Sequence, residues 1–469
     1  MKEQVMLIAA VAILLCSQNV CRAETPRSTD GKKTARRPNI IYIMTDQQNA
    51  TMMSCTGNPW LKTPAVDYLA ENGTRFERAY TTNPCCVPAR VGMMTGWLPD
   101  TFGVRANRSG HKFNDIGGRT GYTQTNIGAQ LRRAGYDIAY GGKVHLPEQL
   151  EPEALGFEVI STDRTMRLAE DCAAYIRRSH KKPYFLVASF INPHDICYYH
   201  RRDLPPKKGN LELLKAVGGD PAAFAKENCP PLPPNFEPQK DEPKAYRVLM
   251  RKSKAKVRET FTEEEWRIGR WLYCRLTEQV DAKIQIVLDA IRESGQEENT
   301  VVIFSSDHGD NDAAYRFHGK NTFNEESIRI PFIVMDKGGR AQAGRVDRTH
   351  LVSNGLDLLP TVLDYAGVPD VKGDPRGRSV RPIVEGKDAP WREHLGVESW
   401  IGRAVIGERY KYMRYDAAGT EERLRDLQND PHEKTHCTED REHATDLEAM
   451  RQVFESWFST ESGCGHMNR

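Results

Sequence analysis

Asn39-Ile40-Ile41-Tyr42-Ile43-Met44 is a short apolar run, rich in β-branched residues, that stops at Asp46-Gln47. Apolar side chains at odd and even positions alike leave no face for water. The run therefore reads as a strand buried on both sides, as in a parallel sheet. Working outward, Thr63-Pro64 opens a helix with a cap residue and a Pro at its first position, and Asn72-Gly73 closes it. A helix from Thr125 carries Ile127, Leu131 and Ala134 on one face and ends at Gly135. A strand over 136–140 then runs into Gly141-Gly142-Lys143, and 184–190 reads as another buried strand. Leu276, Val280, Ile284, Leu288 and Ile291 recur at helical spacing in a long helix. After it, a strand over 300–304 leads to Ser305-Ser306-Asp307. Strands alternating with helices predict an α/β domain with a mostly parallel central sheet flanked by helices. In such sheets the chemistry gathers beyond the carboxyl ends of the strands.

The 469 residues are enough for two or three structural units. We expect a signal peptide over 1–23, a flexible lead-in over 24–36, a catalytic domain over 37–367 and a smaller α+β domain over 368–469. The segment 200–256, rich in Pro and Lys, reads as an inserted loop region, either a rim over the active site or a solvated insertion. Near the end, Leu447, Met450, Phe454 and Trp457 lie on one face of a helix.

Sixty-six basic and 64 acidic residues give a net charge of +2. That balance argues against a nucleic-acid partner, which demands a basic surplus. Lys2, an apolar run from Val5 to Leu15, and Cys21-Arg22-Ala23 read as an export signal, too short for a membrane span. The expected location is periplasmic or secreted, with no membrane association beyond export. Of the 11 Cys, Cys16 and Cys21 would leave with the signal, and the odd number remaining implies at least one unpaired thiol.

The chemistry centres on Cys86-Val87-Pro88-Ala89-Arg90, followed by Thr95-Gly96. Cys86 falls at the start of a helix, where backbone N–H groups and the dipole favour an anion. Arg90 follows one turn deeper and matches a tetrahedral oxyanion. Asp46 and Asp307 each end a strand, so two carboxylates distant in sequence can meet at one divalent cation. Oxygen ligands with a neutral nitrogen suit Ca²⁺, Mg²⁺ or Mn²⁺ more than Zn²⁺.

The Cys-x-Pro-x-Arg pattern resembles the signature of the type I sulfatases. The likeness runs from Arg37-Pro38-Asn39-Ile40 to Leu424-Arg425-Asp426-Leu427 and Asp430-Pro431. It implies an alkaline-phosphatase-like fold with a smaller C-terminal domain, and oxidation of Cys86 to formylglycine by a formylglycine-generating or maturase enzyme. One hydroxyl of the hydrated aldehyde attacks sulfur and expels the alcohol; the second collapses to the aldehyde and ejects sulfate. The metal lowers the pKa of the attacking hydroxyl. The resemblance further implies sulfate binding by Lys143 and Lys320. His145 would bond the formylglycine and His194 would act near the leaving oxygen. The implied metal ligands are Asp46, Gln47, Asp307, His308 and the modified Cys86, with Ca²⁺ the first choice.

Two residues depart from the family pattern: Gln47 replaces a usual Asp, and His308 stands where many members have Asn. The Asp-Gln and Asp-His pairs also resemble the phosphonate monoester hydrolase and choline sulfatase branches. The implied function is an exported sulfatase acting on sulfated carbohydrate or another small sulfate ester. A phosphonate monoester or phosphodiester hydrolase on the same scaffold, and a secreted binding protein without catalysis, are the alternatives.

Overall fold

The computed structural model describes residues 37–459, apart from 116–117, 119, 166, 202–204, 206, 251–252 and 340. The expected signal peptide over 1–23, the lead-in over 24–36 and Cys464 lie outside the described residues.

The main sheet has eight strands: β1 Asn39–Asp46, β2 Gly73–Phe76, β3 Asp137–Gly142, β4 Glu158–Ser161, β5 Tyr184–Pro193, β6 Thr300–Ser306, β7 Phe332–Asp336 and β8 Arg345–Asp347. Their order is β4-β3-β5-β1-β6-β7-β2-β8. All pairings are parallel except those that β7 makes with β6 and β2. β1 sits inside the sheet, with Ile41 opposite both Leu186 and Val302. Its side chains alternate between two cores. Ile40, Tyr42 and Met44 face one layer, and Ile41 and Ile43 face the other. An apolar run without polar gaps is what two covered faces require.

The first layer holds α2 (Cys86–Thr95) and α4 (Asn354–Tyr365); α1 (Pro64–Glu71) and α3 (Glu263–Glu293) form the second. The long α3 starts with a capping box in which Thr262 and Glu265 each bond the other's backbone. Acids fill its first turn and Arg292 its last, matching the helix dipole. Val280, Ile284, Leu288 and Ile291 enter the second core.

The structure corrects one expectation. Segment 200–256 is not a loop region: it carries short helices at Lys208–Leu214, Pro221–Asn228, Lys244–Leu249 and, at its end, Ser253–Thr260. One of them has Asp220 as its cap and Pro221 in its first turn, a start signal hidden among the prolines. Asn72 caps the end of α1, as expected, and Gly73 begins β2. A Cβ there would lie 2.3 Å from the Val334 carbonyl oxygen, so the close strand approach requires glycine.

Toward the C-terminus a four-stranded antiparallel sheet runs in chain order: β9 Leu395–Ser399, β10 Gly402–Ile406, β11 Tyr410–Tyr415 and β12 Glu421–Asp426. Tyr410 and Tyr412 pack toward the helix α5 (Ala444–Phe458), while Met413 and Tyr415 pack on the opposite face with Phe317 and Phe323. The eight cysteines among the described residues are all free thiols. No helix among the described residues is long and apolar enough to cross a membrane.

Candidate active site

β3, β5, β1 and β6 are adjacent and parallel, so their carboxyl ends share one edge of the sheet. Lys143 follows β3, His194 follows β5, Asp46 ends β1, and Asp307 follows β6. Helix α2 aims its N-terminus at the same edge. There the Asn107 side chain accepts from the Val87 N–H at 3.0 Å, and no side chain of Cys85 caps the helix.

Cys86 is fully buried, with Sγ 2.7 Å from Lys320 Nζ and 3.2 Å from His308 Nε2. Lys143 Nζ and Asp46 Oδ1 each lie 3.9 Å from it. Burial and Asp46 oppose ionisation of this thiol, but Lys143, Lys320 and His308 prevail and hold it well below the usual cysteine range. The neighbouring Cys85 is pushed up to about 12, by burial and then by Cys86. Of two adjacent thiols, only one sits where the field favours an anion.

Arg90 is 1 % exposed and spends its whole guanidinium inside the protein. It donates to Asp307 Oδ2 and to Asp46 Oδ2, both at 2.9 Å, and to the Lys143 carbonyl at 2.8 Å and Ser189 Oγ at 3.0 Å. It thus ties the two carboxylates together from behind and leaves the space around the Cys86 side chain to the lysines. Lys143 also donates to Asp46 Oδ2, at 2.5 Å. Burial would lift the Asp46 pKa, but Lys143, His194, Lys320 and Arg90 keep it well below the carboxylate range. Asp307 is raised, by burial and then by Asp46. Two buried carboxylates at one place share one penalty, and the one beside the lysine keeps its charge more easily.

Single ligand atoms of Asp46, Cys86, Asp307 and His308 lie within 4.8 Å of one another. His308 donates from Nδ1 to the Gly309 carbonyl at 2.9 Å, which turns its Nε2 toward the cluster. Two carboxylates, an imidazole nitrogen and the Cys86 side chain fit a hard divalent cation. Gln47 takes a strained backbone, with φ 69, and donates its backbone N–H to Asp307 at 3.1 Å. Its side-chain amide turns to Asp310 at 2.5 Å and to Cys197 at 3.1 Å.

The remaining two expected residues sit at the edge of this group. His194 is half-buried, with a buried Nδ1 lacking a partner and 3.9 Å from Asp195. His145 is exposed, at φ 49, and no hydrogen bond joins it to Cys86 among the described residues. Sequence reading missed Asp310, Ser189, Asn107 and Cys197. Asp310 carried a signal, three residues beyond Asp307 on the same strand-end turn. The others became neighbours only through the tertiary fold, Ser189 on β5 beside β1 and Asn107 and Cys197 on short helices.

The sequence profile of the sulfatases matches residues 38–368. The profile of the N-sulphoglucosamine sulphohydrolase C-terminal region matches residues 313–457. A Delta 4,5-hexuronate-2-O-sulfatase of Bacteroides thetaiotaomicron is 26% identical over 450 residues, covering 90% of this chain and 89% of that protein. Among solved structures, a 2-O GAG sulfatase aligns with a TM-score of 0.77 and 24% identity, over 91% of this chain and 93% of that one. The phosphonate monoester hydrolase of Agrobacterium radiobacter aligns with a TM-score of 0.68 and 21% identity, over 90% and 96% of the two chains. At such identities the structural likeness speaks for the fold. The sulfatase profile covers well over half of the sequence, including every strand end that builds the cluster, and the chain belongs to the type I sulfatase family of sulfuric ester hydrolases in the alkaline phosphatase superfamily.

Proposed function

We propose that the chain is an exported sulfatase that hydrolyses sulfate esters of sulfated carbohydrates, using a formylglycine made from Cys86 by a maturing enzyme. The observation that carries this reading is the setting of Cys86 Sγ, between the ammonium groups of Lys320 and Lys143 and beside a carboxylate–imidazole cluster. Asp46, Asp307, His308 and the oxidised Cys86 would hold a divalent cation, Ca²⁺ by preference. That cation would supply acidity to the nucleophilic hydroxyl and charge for the sulfate oxygens.

The chain's own residues then have separable tasks. Lys320 and Lys143 bind the sulfate oxygens from two sides and balance its charge as the ester bond breaks. Arg90 holds both acids in register. His194, whose Nδ1 is unpartnered, stands at the end of β5 to hold the proton that the departing alcohol oxygen requires. Export rests on the N-terminal signal pattern, and the carbohydrate substrate on the likeness to glycan sulfatases such as that of Bacteroides thetaiotaomicron.

A second reading, phosphonate monoester or phosphodiester hydrolysis, draws on Gln47. Gln47 is neutral where the family pattern has an Asp, and the fold is shared with a phosphonate monoester hydrolase. Side-by-side turnover of 4-nitrophenyl sulfate, 4-nitrophenyl phenylphosphonate and bis(4-nitrophenyl) phosphate decides between the two; faster phosphonate or diester cleavage refutes the sulfatase reading.

The direct test is mass spectrometry of the peptide containing Cys86 in active protein, which should show the aldehyde. Cys86→Ala should lower turnover by a factor of about 10⁴ or more while circular dichroism stays unchanged. A chelator should silence the wild type. Full activity with an intact thiol removes the proposal, as it does the view that the protein merely binds.

A further inference from the structure

The inserted segment 200–256 supplies none of the residues assigned so far, yet its last helix reaches the catalytic cluster. Lys254, in Ser253–Thr260, donates from Nζ to the Lys320 carbonyl at 3.3 Å. The same Nζ lies 3.7 Å from where a Cβ on Gly319 would stand. Lys320 in turn places its own Nζ 2.7 Å from Cys86 Sγ. One residue thus separates the insert's ammonium from the catalytic sulfur.

That ammonium has three donors and one long bond, and among the described residues it forms no ion pair. It is half-buried, and burial, with Lys320 adding to it, holds its pKa down against the pull of Cys197 and Asp310, a cost that a bound anion would relieve. The nearby acid Asp310 is already engaged by the Gln47 amide and by the Gly319 N–H. On the same turn, His318 is 5 % exposed with its Nε2 buried and unpartnered, and its ring stacks on His200 of the insert, centroids 4.6 Å apart. Burial, His200, Lys254 and Arg201 all hold this imidazole well below the usual histidine range, so it stays neutral at pH 7. The insert thus adds a cation one residue away from the lysine that reaches Cys86, with no acid of its own bonded to it among the described residues.

We infer that Lys254 is a specificity-determining residue that binds a second anionic group, sulfate or carboxylate, carried by the same sugar as the ester cleaved at Cys86. The inference rests on the sulfatase reading and narrows it to saccharides with two neighbouring charges. Lys320 holds the scissile sulfate, and Lys254, a lysine side chain's length away, holds the neighbour.

The test compares kcat/KM for three substrates on the full-length, matured enzyme: a monosulfated neutral sugar, a disulfated sugar and a sulfated uronate. The wild type should favour at least one of the doubly charged saccharides over the neutral one by about tenfold or more, and which of them shows whether the second group is sulfate or carboxylate. Lys254→Met should lower that preference at least fivefold, and Lys254→Arg should retain most of it. A wild type that prefers the monosulfated sugar overturns the inference. So does a Lys254→Met enzyme with unchanged preference, or one that loses equally on all three while its melting temperature falls, since that marks a structural lysine. A wild type inert on every sulfate ester overturns the sulfatase reading itself, an outcome distinct from an active enzyme with an unchanged preference.

Discussion

Arg90 shows how much one residue can carry. It lies in the middle of α2 and is buried among groups that are themselves buried, and its fork spans Asp46 and Asp307 with a bond of 2.9 Å to each. Its charge is what allows two carboxylates to share one dry place. Removing it takes the guanidinium from Asp307 and leaves Asp46 with Lys143 alone, and breaking such a buried pair typically costs about 3–5 kcal/mol. Arg90→Ala should lose that much stability in urea unfolding. Arg90→Lys keeps the charge but has one nitrogen where two are needed, and should fall between the two. A lysine variant as stable as the wild type would show that charge alone, not the fork, joins the acids. At this scale Cys86, Asp46 and Asp307 were legible in the sequence because each sits at the start of a helix or the end of a strand, and Lys143 through the family resemblance. The partners of Arg90 were less so. Ser189 and Asp46 meet it only because β5 lies beside β1, and Gln47 turns its amide away from the acids because Asp310 accepts it more closely.

Elements place these residues, and the end of β3 is a tight placement. Gly142 has φ 96, and a Cβ there would lie 2.1 Å from the Ser189 carbonyl oxygen. The next residue donates its N–H to that same oxygen at 2.8 Å, which sets the direction of the Lys143 side chain. Gly142→Ala should therefore cost about 2–5 kcal/mol, from left-handed backbone and the clash together. It should also lower kcat/KM, because the strand end must move and take Lys143 away from Asp46. Gly57 is the control: its φ is 87 but nothing lies within 4 Å of an added Cβ, so Gly57→Ala should cost only the backbone part. Equal losses in thermal unfolding for the two variants would refute the close-approach argument. Periodicity made the strands and the long helix legible at this scale. It failed over 200–256, where four short helices hide in a stretch whose prolines read as breakers, although Pro221 starts a helix rather than ending one.

At the scale of the whole molecule, the alternation of strands and helices announced a mostly parallel sheet, but not its order or the reversal of β7, which depend on crossovers between distant segments. Nor did it show how the antiparallel C-terminal sheet is fastened to the catalytic turn. Lys411 of β11 is 0 % exposed and binds the Phe323 carbonyl at 2.7 Å, Glu325 at 3.0 Å and Glu433 at 2.6 Å. Glu398 of β9 is a second fastening: it is 1 % exposed, accepts from the Asp100 N–H at 2.9 Å and sends its own backbone N–H to Thr82 at 2.8 Å. Burial first, and then Asp100, push its pKa from 4.5 to about 7, against the pull of Arg403 and Arg105. A raised carboxylate pKa means that the folded protein holds a proton the unfolded chain has already shed. Stability should fall as pH rises from about 4.5 to about 7, and the loss is complete above that window. A shift of this size is worth up to roughly 3 kcal/mol. Glu398→Gln keeps an oxygen for the Asp100 N–H and cannot ionise. Its stability relative to the wild type should therefore improve between pH 5 and pH 8 by roughly that amount in chemical denaturation. A stability difference between variant and wild type that stays constant across this range would mean that Glu398 is ionised in the folded protein at both pH values, with Arg403 rather than a proton balancing its charge at the junction of the two sheets.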